Sequence, residues 1–171
     1  MLEKLKNSTT INGILYVGGL LSLKFLFSVI NNPLLTILSL LISVAVIFVL
    51  YKVATNYRIH QLNDEMSYGG AFRYCFQLYF FGSIIYTLVF FIYTTFINKN
   101  YFQVMMDAIL QMYDKMNIKV EDNIYDLLNT MYQPIPMAFL SLLGAAVSAA
   151  FWAFIIAFFV KKEKSIFDKN V

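Results

Sequence analysis

The chain has 171 residues, of which 60% are apolar and 13% charged, against roughly 45–50% and 25% in average soluble chains. A soluble domain of this size leaves much of its surface in water and has no means of covering that excess, and the same figures exclude a disordered chain. One cysteine, Cys75, and one histidine, His60, rule out an intrachain disulfide and leave too few ligands for a His/Cys zinc or haem site.

Between Asn7 and Tyr51 the only charged residue is Lys24. That stretch is too long for a single span of about 20 residues, and Asn31-Asn32-Pro33 divides it with turn formers, Pro33 pre-setting the first position of the next helix. The pattern predicts a helical hairpin, with a first span over about 10–30 and a second over about 34–53. Helix is required because hydrocarbon offers no partner to backbone polar groups. Lys4 and Lys6 ahead of Ile11–Leu23 imitate a signal peptide. No Ala-x-Ala-like site follows, and the first alanine is Ala45, so an uncleaved span is expected.

An uncharged, Phe- and Tyr-rich run predicts a third span over about 72–97, with Ser67 as N-cap of its extension. Pro134 and Pro136 open a fourth over about 135–160, which the following lysines stop. Between these, Phe102, Met105, Met106, Ile109, Met112, Tyr113 and Met116 recur at helical spacing, and Ile124, Tyr125, Leu127, Leu128 and Met131 repeat the pattern. Two amphipathic helices within about 99–133, divided near Asn117, are expected to lie on the interface or to cap the bundle. No long repeat or second domain is visible. The predicted class is all-α: a polytopic four-helix transmembrane bundle, a single domain over residues 1–171, with a short amphipathic helical extracytoplasmic segment.

The cations set the expected orientation. Lys4, Lys6, Lys52, Arg58, Arg73, Lys161, Lys162, Lys164 and Lys169 fall on one side, and Lys99, Lys115 and Lys119 on the other. Nine against three is a positive-inside bias, placing both termini in the cytoplasm. Lys52, Arg58, Arg73, Lys161 and Lys162 read as anchors to anionic lipid of the inner leaflet.

Lys24 lies about seven residues, roughly 10 Å, from the outer end of its span. A charge at a helix centre costs roughly 2.5–3.5 kcal/mol, which the apolar residues of the span outweigh at about 0.3–0.6 kcal/mol each. One reading is snorkelling to the outer headgroups; the other is an anion site for a lipid phosphate or an acidic partner. No Asp or Glu lies within a predicted span, which argues against ion-coupled transport.

Ser141, Ala145, Ala149, Ala153 and Ala157 form a small-residue stripe at intervals of four. Such a stripe permits close helix approach, either inside the bundle or against a second chain, and Gly18, Ser22 and Gly82 offer matching faces. Met105, Met106, Met112, Met116 and Met131 read as apolar filler rather than a Cu(I) site, having no Cys or His beside them. His60 near Asp64 and Glu65 reads as a solvated loop, since it has no nucleophile or metal set. Gly69-Gly70 is too short to cradle a phosphate.

The stretch Ser67-x-Gly69-x-Ala71-Phe72-Arg73 resembles the family known as domain of unknown function 4199, in which a segment of the kind Ser-x-Gly-x-Ala-Phe-Lys begins the third helix. In that family an aromatic span and an acidic-leaning external segment follow, the latter starting with an Asn/Asp-x-x-Tyr/Phe-like turn. Asn98-Lys99-Asn100-Tyr101-Phe102 stands at that place here, without the proline often found there. The resemblance spans nearly the whole chain and implies a bacterial inner-membrane protein with four spans. It implies no activity and no catalytic residue.

The function expected from these features is that of a non-enzymatic accessory or scaffold subunit, docking through the fourth span on another membrane protein. The alternative is a binder of an anionic lipid or amphiphile through Lys24 beneath the external cap. A membrane enzyme would need clustered His, Asp, Ser or Cys. Expected partners are membrane lipids and a membrane protein or a second copy. No nucleic acid, cofactor or metal is expected.

Overall fold

The computed structural model describes residues 8–30, 32–118 and 122–162. They form six α-helices: α1 (Ser8–Val29), α2 (Pro33–Gln61), α3 (Tyr68–Ile92), α4 (Tyr101–Lys115), α5 (Asp122–Met131) and α6 (Pro134–Val160). A π-helical turn, Tyr93–Ile97, extends α3. Four segments are long and apolar enough to cross a membrane: α1, α2, α3 with its π turn, and α6. The protein is an all-α polytopic membrane protein.

Local chemistry accounts for most helix ends. Pro33 opens α2 and the Asn32 side chain accepts from the Leu34 N–H at 2.9 Å, satisfying a donor that the first turn leaves free. Ser67 precedes α3 and its hydroxyl accepts from the Gly70 N–H at 3.2 Å, the N-cap geometry expected. Pro134 begins α6. Helix α4 ends at Lys115, where Asn117 is left-handed with φ 55°. The Ile118 N–H returns to the Tyr113 carbonyl and the Asn117 N–H to that of Asp114, both at 3.0 Å. This is a Schellman closure, with asparagine tolerating the left-handed position.

Helix α2 continues past residue 53, the expected end of the second span, to Gln61, since a helix keeps its hydrogen bonds within the segment and need not end with its apolar run. Helix α3 starts at Tyr68, directly after the expected cap Ser67.

The chain forms two compact units. The first comprises the described residues of Met1–Tyr86 and Gly144–Val171, and brings parts of all four spans together. Its core holds Val17, Leu50, Leu78, Ile156, Ala157 and Val160, each at most 2% exposed. Helices α1 and α3 meet at Gly18 and Gly82: a Cβ on Gly18 would stand 2.8 Å from the Gly82 carbonyl oxygen. These glycines were expected to face the stripe of α6; they face each other. Thr10 and Tyr74 hydrogen-bond at 3.1 Å, both buried, and the rings of Tyr74 and Tyr57 stack at 4.1 Å. Thr10→Val will lower stability by about 0.6–1.7 kcal/mol, the range for single interhelical hydrogen bonds in membranes, read as the unfolding midpoint in detergent.

The second unit is Thr87–Leu143. Phe102 and Met106 of α4 are buried, and the ring of Phe90 meets those of Tyr101 and Phe102 edge-on at 6.2 and 6.0 Å. The methionines serve as filler unevenly: Met106 is buried, whereas Met112, Met116 and Met131 are exposed. The apolar residues of α5, including Ile124, Tyr125 and Leu127, are exposed as well.

Candidate functional site

The polar groups of the first unit concentrate where α2, α3 and α6 end or begin. Two successive left-handed residues, Asn63 (φ 52°) and Asp64 (φ 62°), turn the chain from α2 into α3. This turn brings the Asp64 carboxylate back to the helix it has just left. Arg58 donates from Nε to Asp64 Oδ1 at 3.0 Å and from Nη1 to the Val160 carbonyl at 2.5 Å. The second bond satisfies a carbonyl that the C-terminus of α6 would otherwise leave without a partner, and the positive charge suits that end of the helix dipole. Lys162 donates from Nζ to Asp64 Oδ2. Met66 and Lys162 exchange two backbone hydrogen bonds, at 2.8 and 2.9 Å. Together these contacts latch the end of α6 to the α2–α3 turn. The hydrogen bond from Lys162, with the charges of Lys162 and Arg58, holds the Asp64 carboxyl below the usual carboxylate range.

Beside the latch a cleft of about 720 Å³ runs along α3, lined by Gly70, Phe72, Arg73, Phe76, Gln77 and Phe80 and backed by Tyr57, Met66 and Tyr74. A second cleft, about 590 Å³, is lined by Tyr16, Lys52, Thr55 and Asn56 among others.

The residues singled out from the sequence fall in different settings. Lys24 is half-buried on α1, makes no ion pair among the described residues, and lines neither cleft. Of the anchor cations, Arg73, Lys52 and Lys161 are exposed, with Lys52 and Lys161 lying 5.8 and 5.9 Å from the ring centres of Phe48 and Phe158. Arg58 and Lys162 are instead engaged by Asp64. Along the α6 stripe, Ala149, Ala153 and Ala157 are buried within the chain, while Ser141 and Ala145 are half-buried. Those three alanines have no surface left for a second chain. His60 is exposed, and no cluster of three or more His, Cys, Asp or Glu occurs among the described residues.

Sequence reasoning missed both the latch and the cleft. Arg58 and Val160 are 102 residues apart, and no local pattern marks such a contact. The spacing of Phe72, Phe76 and Phe80 was a signal for the cleft wall, since residues four apart share a helix face.

The chain belongs to the family described as "Protein of unknown function (DUF4199)", whose model matches residues 12–162. No curated protein and no solved structure matches it.

Proposed function

We propose that this member of the family is a non-enzymatic accessory subunit of a bacterial inner membrane, with both termini in the cytoplasm, that packs beside another membrane protein through α6. The cation count supports the orientation, since lysine and arginine are retained on the cytoplasmic side during insertion.

One observation carries the docking reading. Gly144 of α6 has no atom within 4 Å of where a Cβ would stand, and Val147 and Phe151 beyond it are 72% and 59% exposed. Glycine inside a helix costs roughly 0.5–1 kcal/mol relative to alanine. At Gly13, Gly18 and Gly82 close neighbours explain the residue; at Gly144, as at Gly19 of α1 and Gly69 at the start of α3, no neighbour within the chain does, and of these Gly144 alone lies on α6. A glycine on an open membrane face is the feature that lets a partner's backbone approach. The docking surface is therefore the Gly144 flank rather than the buried alanine stripe.

Gly144→Leu meets no steric obstacle in the chain itself. It will leave the unfolding free energy within about 1 kcal/mol of wild type and abolish recovery of a stoichiometric partner from native membranes in mild detergent. Recovery of the same partner with the variant, or of none with wild type, refutes the reading. The alternative reading is binding of an anionic lipid or amphiphile through Lys24, which is half-buried and makes no ion pair among the described residues.

A further inference from the structure

The cleft along α3 has an apolar wall and, among the described residues, one cation without an ion pair. Phe72, Phe76 and Phe80 stack in sequence, with ring centres 6.3 and 5.8 Å apart and planes inclined by 20° and 5°. The volume, about 720 Å³, lies within the roughly 300–1,000 Å³ typical of small-molecule sites. Arg73 is exposed at this cleft and has no hydrogen bond or ion pair among the described residues. The adjacent cations differ, since Asp64 engages both Arg58 and Lys162. Among the described residues no carboxylate lines the cleft, so the charge they present there is positive.

The placement along the helix is equally specific. Ser67 caps α3 six residues before Arg73, so Arg73 sits close to the end of the span. Phe80 lies about 10 Å further along at 1.5 Å per residue. A guanidinium at headgroup depth therefore continues into an aromatic wall at acyl-chain depth. Gln77, half-buried between them, supplies an amide. A free inorganic anion would use only the first of these features.

We propose that this cleft is a binding site for one anionic phospholipid of the leaflet at the Arg58–Lys162 end. The planar guanidinium of Arg73 takes the phosphate through paired N–H donors, the Gln77 amide meets the ester region, and one acyl chain lies along Phe72, Phe76 and Phe80. The site is separate from the Gly144 flank, so the two stand or fall independently.

The test is native mass spectrometry of the full-length protein after exposure to equimolar phosphatidylglycerol and phosphatidylcholine. Wild type will retain a single phosphatidylglycerol with at least a fivefold preference. Arg73→Gln will remove that preference, Arg73→Lys will keep part of it, and Lys115→Gln, at an exposed position of α4, will leave it unchanged. Equal retention of both lipids, persistence of the preference in Arg73→Gln, or its loss in Lys115→Gln overturns the proposal. A second readout does not need the arginine variant to fold. The chain has a single tryptophan, Trp152, so Phe76→Trp in a Trp152→Phe background reports on the cleft alone. Brominated phosphatidylglycerol will quench it more strongly than brominated phosphatidylcholine, and equal quenching counts against the site.

Discussion

Gly18→Ala will destabilise the protein by about 3 kcal/mol, the upper part of the range for overpacking a tight contact. The added methyl group would meet the Gly82 carbonyl oxygen and the Cβ of Ile85, each at 2.8 Å. A flexible side-chain end could swing aside at little cost, but a carbonyl oxygen held in a helix moves only with its helix. Helices α1 and α3 must therefore separate, and the buried neighbours Val17 and Leu78 lose contact with them. Gly82→Ala will act in the same direction, since its Cβ would lie 2.7 Å from Val17 Cγ1 and 3.0 Å from the Gly18 nitrogen. The adjacent Gly19 supplies the control. Nothing lies within 4 Å of its Cβ position, so Gly19→Ala will be neutral or will stabilise by up to about 1 kcal/mol through helix propensity. Unfolding midpoints of the three variants in one detergent decide the matter. Equal behaviour of Gly18→Ala and Gly19→Ala would show that the crossing does not hold the helices together.

Arg58→Ala will cost about 2 kcal/mol, the scale of a hydrogen bond made by a charged group, and will speed amide exchange at the end of α6. Its side chain is only 13% exposed, so water compensates poorly for the two partners it abandons. Of these, the Val160 carbonyl is the more consequential, because the end of a helix has no other donor to offer it. Asp64→Asn removes the ion pairs but keeps that carbonyl bond, and will produce the smaller change. The exposed Lys162 pair adds little and weakens with salt. The pH dependence follows from the lowered Asp64 value. A carboxyl whose folded pKa is depressed contributes stability that is complete above its unfolded value, 3.8, and declines as pH falls through the lower folded value. The contribution is therefore constant across neutral pH and disappears only in strong acid. Unchanged exchange at residues 157–162 in Arg58→Ala would refute the latch.

Most of the architecture was legible because hydrocarbon imposes it locally. Three long runs charged only at Lys24, the first of them divided at Asn32-Pro33, required four helices, and Asn32-Pro33, Ser67, Pro134 and Asn117 are punctuation whose chemistry acts within three or four residues. Helix limits beyond the apolar runs were less legible: Lys52 ends the uncharged stretch of α2, while the helix itself runs to Gln61. Gly18 and Gly82 were recognisable as packing residues but not as each other's partners, since small side chains carry no address. The candidate site was the least legible part. Lys24 drew notice as the lone charge in a span, yet its surroundings form neither cleft. Arg58 looked like any interfacial cation until the fold brought Val160 to it.

The π turn at Tyr93–Ile97, closed by the bond from the Asn98 N–H to the Tyr93 carbonyl at 2.8 Å, accommodates one residue more than an α turn would. That surplus acts as a phase shift. Deleting one residue there would restore ordinary pitch and wind the following segment back by about 100°, carrying Tyr101 and Phe102 away from the ring of Phe90. Chain length at this point is thus a structural parameter in its own right. The exposed Phe96 and Ile97 tolerate a change of residue type far more readily than the turn tolerates a change of residue number.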